Sequence, residues 1–300
     1  MTTTDIRVSG RTVEIRRAEK ELFPDDGITK ADLADYYRRV GPRILPHLRG
    51  RPLMLERHPD GIGAGRFMQK DTPDYFPDWI HRWELPKADG TVTYPVCDDV
   101  ATLLYLAGQA CITPHRWLSK ADRPDHPDRL VFDLDPSGED FEPVRQAAAS
   151  LHEVLDELDL PAALMTTGSR GLHVLVPLDR RATFDTVRAF ARDVAEVIAD
   201  RHPEQFTTAA RKQGRKGRLY LDVQRNAYGQ TAVTPYAVRA LPGAPVATPL
   251  SWSELDDPDL TPRRWTLATL DERLEIDDPW KQELRRGRSM EAARTRLEKL

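Results

Sequence analysis

With 300 residues, 40% of them hydrophobic and 31% charged, the chain can bury a large core as one domain or as two packed lobes. No apolar run is long enough to span a membrane, and Met1-Thr2-Thr3-Thr4-Asp5 lacks a basic-then-apolar signal pattern, so a cytoplasmic protein is expected. The net charge of −4 does not itself point to nucleic acid, and two cysteines, Cys97 and Cys111, cannot make a disulfide framework or alone a four-ligand zinc site.

Residues near Thr12 to Ile15 alternate as a strand does, and Lys20 to Gly27 is rich in turn residues. Thr29 reads as the N-cap of a helix through Leu33, Tyr36, Tyr37 and Val40, with Asp32 favourable to its dipole. Lys30 then lies at a helix start, where free N–H groups and a lysine suit an anion, although a merely exposed lysine fits the pattern too. Gly41-Pro42 is expected to break this helix, with Ile44 to Leu48 adding a further turn or two.

Arg57 to Lys70 is glycine-rich and carries Phe67, Met68 and Lys70; a Phe beside lysine either stacks on a base or packs in a core. Lys87-Ala88-Asp89-Gly90 has the K-x-D-G form found around the nucleophilic lysine of ATP-dependent ligases. It stands between two strand-like runs with no further ligase motif after it, so a β-hairpin tip is expected. Asp99 to Ala110 is periodic for a helix, and Ser119 to Arg129 reads as a polar, proline-bearing loop.

That loop delivers the chain into Leu130-Val131-Phe132-Asp133-Leu134-Asp135-Pro136, an apolar run with two carboxylates one residue apart. On a strand Asp133 and Asp135 share a face, their Cα atoms about 6.5 Å apart, and Phe132 and Leu134 face the other way. Two such charges repel unless a cation sits between them, and magnesium or manganese prefers carboxylate oxygen. Alone, the pair is equally a strand end with two solvated aspartates.

The residues downstream separate these readings. Val144, Ala147, Leu151, Val154, Leu155 and Leu158 have helical spacing, Ala163 to Thr167 is a strand, Gly168 to Gly171 a tight turn, and Leu172 to Leu178 a second strand. A helix capped near Thr183 carries Val187, Phe190, Val194, Val197 and Ile198, and Leu219 to Val223 is another strand. Before it, Arg211 to Arg218 is basic and glycine-punctuated, either a mobile loop able to approach phosphates or a solvated surface loop. The order β-α-β-β-α-β is that of ferredoxin-like and RNA-recognition-type folds. Right-handed crossovers would place the first strand between the third and fourth, gathering Asp133, Asp135, His173 and Asp222 on one face.

Phe132-Asp133-Leu134-Asp135-Pro136, Thr167-Gly168-Ser169-Arg170-Gly171-Leu172-His173 and Leu221-Asp222 stand in the order and spacing of the archaeo-eukaryotic primase superfamily. From about Lys20 to about residue 275 the chain resembles the polymerase domain of bacterial ATP-dependent DNA ligase D. The resemblance implies an α/β primase-polymerase fold with an N-terminal lobe, residues 1–129, packed on a metal-binding core, residues 130–250. A closing segment over 251–280 would complete one catalytic domain, and 281–300 would form a charged helical tail. It also implies an enzyme that extends primers and fills short gaps with rNTPs or dNTPs during end joining or excision-repair gap filling, in a bacterial, nucleoid-associated setting.

Position by position, the resemblance implies metal binding and catalysis by Asp133, Asp135 and Asp222, with two Mn2+ or Mg2+ ions and no zinc. His115, Ser169, Arg170, His173, Arg215 and Arg239 match nucleotide-holding positions. Lys20 and Lys30 match lysines that grip the 5′-phosphate across a gap, and Phe67 matches one of two adjacent template-stacking aromatics, the second being Met68. Arg57, Lys70 and Arg225 complete the expected DNA-contacting set. Expected partners are gapped or broken DNA with a 5′-phosphate, nucleoside triphosphates, Ku and a DNA ligase, and no membrane.

Two other classes use parts of this pattern. Phosphohydrolases of the haloacid dehalogenase type carry D-x-D after a buried strand, but near the start of the domain, and continue with Thr or Val where Ser137 stands here. A non-catalytic nucleic-acid-binding module would present aromatics on its sheet where this chain presents carboxylates.

Overall fold

Residues 2–87 and 90–300 are described in the computed structural model. In chain order the strands are β1 (Thr3–Val8), β2 (Arg11–Arg16), β3 (Glu21–Phe23), β4 (Ile28–Thr29), β5 (Leu53–Arg57), β6 (Phe67–Gln69), β7 (His81–Lys87), β8 (Gly90–Val96) and β9 (Cys111–Trp117). They continue with β10 (Arg129–Asp135), β11 (Ala163–Thr166), β12 (Leu172–Pro177), β13 (Phe206–Thr207), β14 (Leu219–Asp222), β15 (Thr231–Val233) and β16 (Pro249–Leu250). The helices are α1 (Lys30–Leu48), α2 (Val100–Gly108), α3 (Glu142–Glu157), α4 (Phe184–Arg201), α5 (Lys212–Arg215), α6 (Asp271–Glu275) and α7 (Met290–Leu297). They form two units: Met1–Asp122 with Thr231–Ala247 and Trp265–Ile276, and Arg123–Gln230 with Thr248–Arg264 and Asp277–Leu300.

In the first unit, α1 begins where its cap requires. The Thr29 side chain accepts from the Asp32 N–H while the Asp32 carboxylate accepts from the Thr29 N–H, a reciprocal capping box. The break expected at Gly41-Pro42 does not occur; the helix runs unbroken through Pro42 and Pro46. A helix-interior proline costs about 3 kcal/mol, and each large apolar side chain fully buried returns about 1.5–3. Leu33, Tyr36, Tyr37, Val40, Ile44, Leu45 and Leu48 are all buried along one helix, enough to hold it through two such defects. Gly41 lets α2 come close, since a Cβ there would lie 2.9 Å from Val100 Cγ2.

A four-stranded sheet in the order β15-β9-β5-β6 completes this unit, together with the β1–β2 and β7–β8 hairpins. The β7–β8 ladder pairs as far as Lys87 opposite Gly90, consistent with the expected hairpin, although its tip residues Ala88 and Asp89 lie outside the described residues. Both cysteines are buried and reduced, and burial pushes the Cys111 thiol up to about 12, as suits an inert packing residue.

The second unit is built on a six-stranded sheet in the order β13-β14-β10-β12-β11-β16. Its central four strands have the expected arrangement, with β10 between β12 and β14, and short strands extend both edges. Helices α3 and α4 pack against β10, bringing Val144, Leu151 and Leu155, and Phe190 and Val194, into the interior with Phe132 and Leu134. The basic stretch Arg211 to Arg218 is more ordered than the expected loop: α5 forms one helical turn, and Lys216 and Gly217 reverse the chain at φ 50° and 83°. Residues 277–300 belong to the same unit. Trp280 is buried, its indole N–H donating to the Leu164 carbonyl, and α7 buries Met290, Ala293 and Leu297. Among the described residues no helix is long and apolar enough to cross a membrane.

Candidate active site and basic pocket

The sheet register decides which side chains meet. Asp133 on β10 stands opposite His173 on β12 and Asp222 on β14, so the central strand carries a carboxylate flanked by an imidazole and a second carboxylate. Asp135, two residues on, stands opposite Tyr220 and shares the Asp133 face. Asp133 is 7% exposed and His173 is 4% exposed, so both are buried, while Asp135 and Asp222 are partly exposed.

A buried carboxylate must be compensated. His173 Nε2 lies 3.3 Å from Asp133 Oδ1, and Arg225 Nε donates to Oδ2 at 3.0 Å. Burial alone would push the Asp133 carboxyl up, but His173 and Arg225 outweigh it and hold the group well below the usual carboxylate range. Asp222 moves the opposite way. Burial, helped by the charge on Asp133, raises it against the Gln224 N–H that donates to its Oδ1 at 2.7 Å. Asp135, at the rim, accepts from Arg170 at 3.1 Å.

Among the described residues, no three His, Cys, Asp or Glu groups converge tightly enough as they stand to hold a metal ion; the carboxylates of Asp133 and Asp135 are paired with Arg225 and Arg170. The donor set nevertheless suits a hard divalent cation. Three carboxylates share one face, and Asp222 already feels the negative charge of Asp133, which a cation between them would relieve.

The hairpin between β11 and β12 brings Ser169, Arg170 and His173 to this face. Thr167 Oγ1 accepts from the Ser169 and Gly171 N–H groups, and Gly168 turns the chain at φ 63°. Gly171 passes so close to β10 that a Cβ there would lie 1.9 Å from the Leu134 carbonyl oxygen. Beside it is a pocket of about 590 Å3, lined by Pro136, Ser137, Phe141, Ser169, Arg170 and Arg263. Arg215, at the end of α5, lies over the Tyr220 ring at 4.4 Å.

His115 and Arg239 are carried by the first unit. His115 Nε2 lies 3.2 Å from Glu56 Oε2, and Glu56 is also reached by His58 and Arg66. Burial pushes Glu56 up, yet these hydrogen bonds hold its carboxyl well below the usual range. The sequence reading missed Glu56, because a lone acid in an apolar strand carries no local signal until β9 is seen to pair with β5.

The first unit also contains a basic pocket of about 630 Å3, bringing together Arg16, Arg17, Lys20, Lys30 and Arg57 beside Tyr75, Trp79 and Tyr105. Lys30 is buried rather than exposed, its ammonium donating to the Arg16 carbonyl at 3.1 Å. Burial, and then the charges of Lys20, Arg17 and Arg57, push its pKa down, the signature of a cation cluster that a bound anion would relieve. Lys20 is paired with Asp60 at 2.6 Å. Arg16 and Arg17 were not singled out from the sequence, although their adjacency to Lys20 was a usable signal. Phe67 and Met68 are exposed on β6, with the Arg57 guanidinium 5.1 Å over the Phe67 ring. Lys70 is exposed just past β6 and does not line the pocket, and Arg225 is engaged with Asp133 in the other unit.

Comparison with known proteins places these features in context. A family model described as LigD, primase-polymerase domain, matches residues 29–280. The multifunctional non-homologous end joining DNA repair protein LigD of Mycobacterium tuberculosis is 32% identical over 95% of this chain and 40% of its own length. The bifunctional non-homologous end joining protein LigD of Bacillus subtilis is 33% identical over 85% of this chain and 41% of its own. The chain thus spans about 40% of the length of these curated relatives. Among solved structures, the polymerase domain from Mycobacterium tuberculosis ligase D in complex with DNA superposes with a TM-score of 0.84 and 30% identity, covering 94% of this chain and 99% of that one.

Proposed function

Because this chain belongs to the LigD primase-polymerase domain family, we propose that it is a nucleotidyltransferase that extends a primer strand with rNTPs or dNTPs at breaks and short gaps in double-stranded DNA. The observation that carries this reading is the register of Asp133 with Asp222, with Asp135 on the same face. Three carboxylates held together on a rigid sheet are the donor set expected for hard divalent cations.

Asp133, Asp135 and Asp222 would hold Mn2+ or Mg2+, which when bound activates the attacking 3′-hydroxyl and offsets charge on the departing pyrophosphate. The protein's own groups do the rest. Ser169 and the backbone N–H groups of its turn would donate to phosphate oxygens, and Arg170 and Arg215 would neutralise charge on the triphosphate. His173 keeps Asp133 ionised and oriented. His115 and Arg239 are proposed as further nucleotide contacts on the family resemblance. Arg57, beside the lysines, and Arg225 stay candidates for DNA contact on the same ground, as does Lys70.

In the first unit, Lys20 and Lys30 would take the 5′-phosphate of the strand beyond the gap, a role supported by the positive pocket in which both stand. Phe67, exposed beside Arg57, is suited to stack on a template base. The LigD relatives act in non-homologous end joining, and a Ku-type end-binding protein and a ligase are the partners that this role would require.

Primer extension across a short gap, with manganese, tests the proposal. Comparing rNTPs with dNTPs, and gaps with and without a 5′-phosphate, should show incorporation that depends on the phosphate. Asp133→Ala or Asp135→Ala should abolish synthesis and leave DNA binding intact, and full activity in either variant would refute the assignment.

A further inference from the structure

The face that carries the carboxylates also carries an aromatic ring. Tyr220 is on β14 two residues before Asp222, directly opposite Asp135, and it is buried. On the ring lies the Arg215 guanidinium, 4.4 Å from its centroid.

The Arg218 guanidinium donates to the Gly214 and Arg215 carbonyls and fixes the backbone of this turn, but the Arg215 side chain itself is lightly held. α5 is a single helical turn whose neighbours Lys212, Gln213, Gly214, Lys216 and Gly217 are all exposed. One guanidinium nitrogen donates to the Ala210 carbonyl at 2.8 Å, while Nε is buried without a hydrogen-bond partner. A guanidinium nitrogen withdrawn from water and facing a π-surface is held by cation–π attraction. A long arginine side chain on a surface turn would otherwise lose its conformational freedom on engaging a ligand.

We propose that Tyr220 is a positioning residue for nucleotide binding: its buried ring, registered with Asp135 on the sheet, holds the Arg215 guanidinium poised at the carboxylate face for the incoming triphosphate. This rests on the proposed polymerase reading. The ring alone does the positioning, so phenylalanine serves as well as tyrosine, and an aliphatic side chain does not.

The test measures KM and kcat for ATP opposite a template thymine on gapped DNA. It also measures equilibrium ATP binding on a primer ended with a dideoxynucleotide, so that binding is read without chemistry. Tyr220→Leu, and Tyr220→Met as a second ringless variant with a flexible chain to fill the space, should raise KM and Kd roughly 2- to 30-fold, the range of a partly to fully desolvated cation–π contact. Their kcat should stay within about twofold. Tyr220→Phe should remain within about twofold of wild type on every measure. Arg215→Ala should raise KM as the ringless variants do, and the double variant Tyr220→Leu/Arg215→Ala should be no worse than Arg215→Ala alone. Unchanged ATP binding in both ringless variants, losses in Tyr220→Phe equal to theirs, additive losses in the double variant, or an Arg215→Ala protein that binds ATP normally would each overturn the positioning role alone. A wild-type protein that neither binds ATP nor extends the primer would overturn the proposed function itself.

Discussion

Asp222→Asn should make the metal-free protein more stable while removing its ability to synthesise. Asp222 faces Asp133 across the β10–β14 ladder, where Cβ atoms are typically about 5 Å apart, and two full charges about 6 Å apart at an effective dielectric of about 20 repel by about 3 kcal/mol. That is an upper bound. Asp133 is already offset by His173 and Arg225, and Asp222 is partly solvated, so about 1 kcal/mol is the expected remainder, or about 2 °C in melting temperature. Asparagine keeps the oxygen that accepts from the Gln224 N–H, so that hydrogen bond survives. The sign comes from linkage: a carboxyl whose folded pKa is raised costs nothing below its unfolded value of about 3.9, and its full penalty is present once pH exceeds the folded value. Melts in chelator should therefore show the variant above wild type at pH 7 and level with it near pH 3.5. Manganese should then raise the wild-type melting temperature and leave the variant nearly unmoved. A variant that melts below wild type in chelator at pH 7, or an offset that is the same at both pH values, would refute the repulsion argument.

Lys30→Met should preserve stability, because it removes a buried ammonium among like charges, and should erase the preference for gaps with a 5′-phosphate over gaps with a 5′-hydroxyl in binding assays. Gly171→Ala should cost at least about 2 kcal/mol and abolish synthesis, since its Cβ meets the backbone of the strand that bears both carboxylates and no rotamer relieves the contact; a denaturant melt measures this. Glu56→Gln should cost about 1–3 kcal/mol at pH 7 in urea titrations. Because the folded carboxyl is held low, that contribution is complete above the unfolded value of about 4.3, and wild type and variant should converge as pH falls through the folded value.

The parts of this protein that local chemistry dictates are legible in its sequence. Thr29 caps a helix whose dipole Asp32 favours, alternation turns Asp133 and Asp135 to one side of a strand, and the handedness of crossovers is enough to set β10 between β12 and β14. That order makes β12 and β14 the neighbours of Asp133, and the register of their ladders then sets His173 and Asp222 opposite it. The rest depends on partners distant in sequence. The helix continues through Pro42 and Pro46 because its buried face outweighs two backbone defects, a balance that no window of residues around the prolines contains. Lys30 is buried because the Arg16 carbonyl and the surrounding cations close over a helix start, and Glu56 finds His115 only through the β5–β9 ladder. Arg170 and Arg225 are expected at nucleotide and DNA, and Tyr220 reads as an ordinary strand residue; only the folded structure brings the two arginines to the carboxylates and the tyrosine beneath Arg215. Sequence determined which chemical groups each element carries, because side-chain periodicity is local; tertiary structure decided which groups compensate one another, because burial and charge pairing are properties of the whole packed sheet.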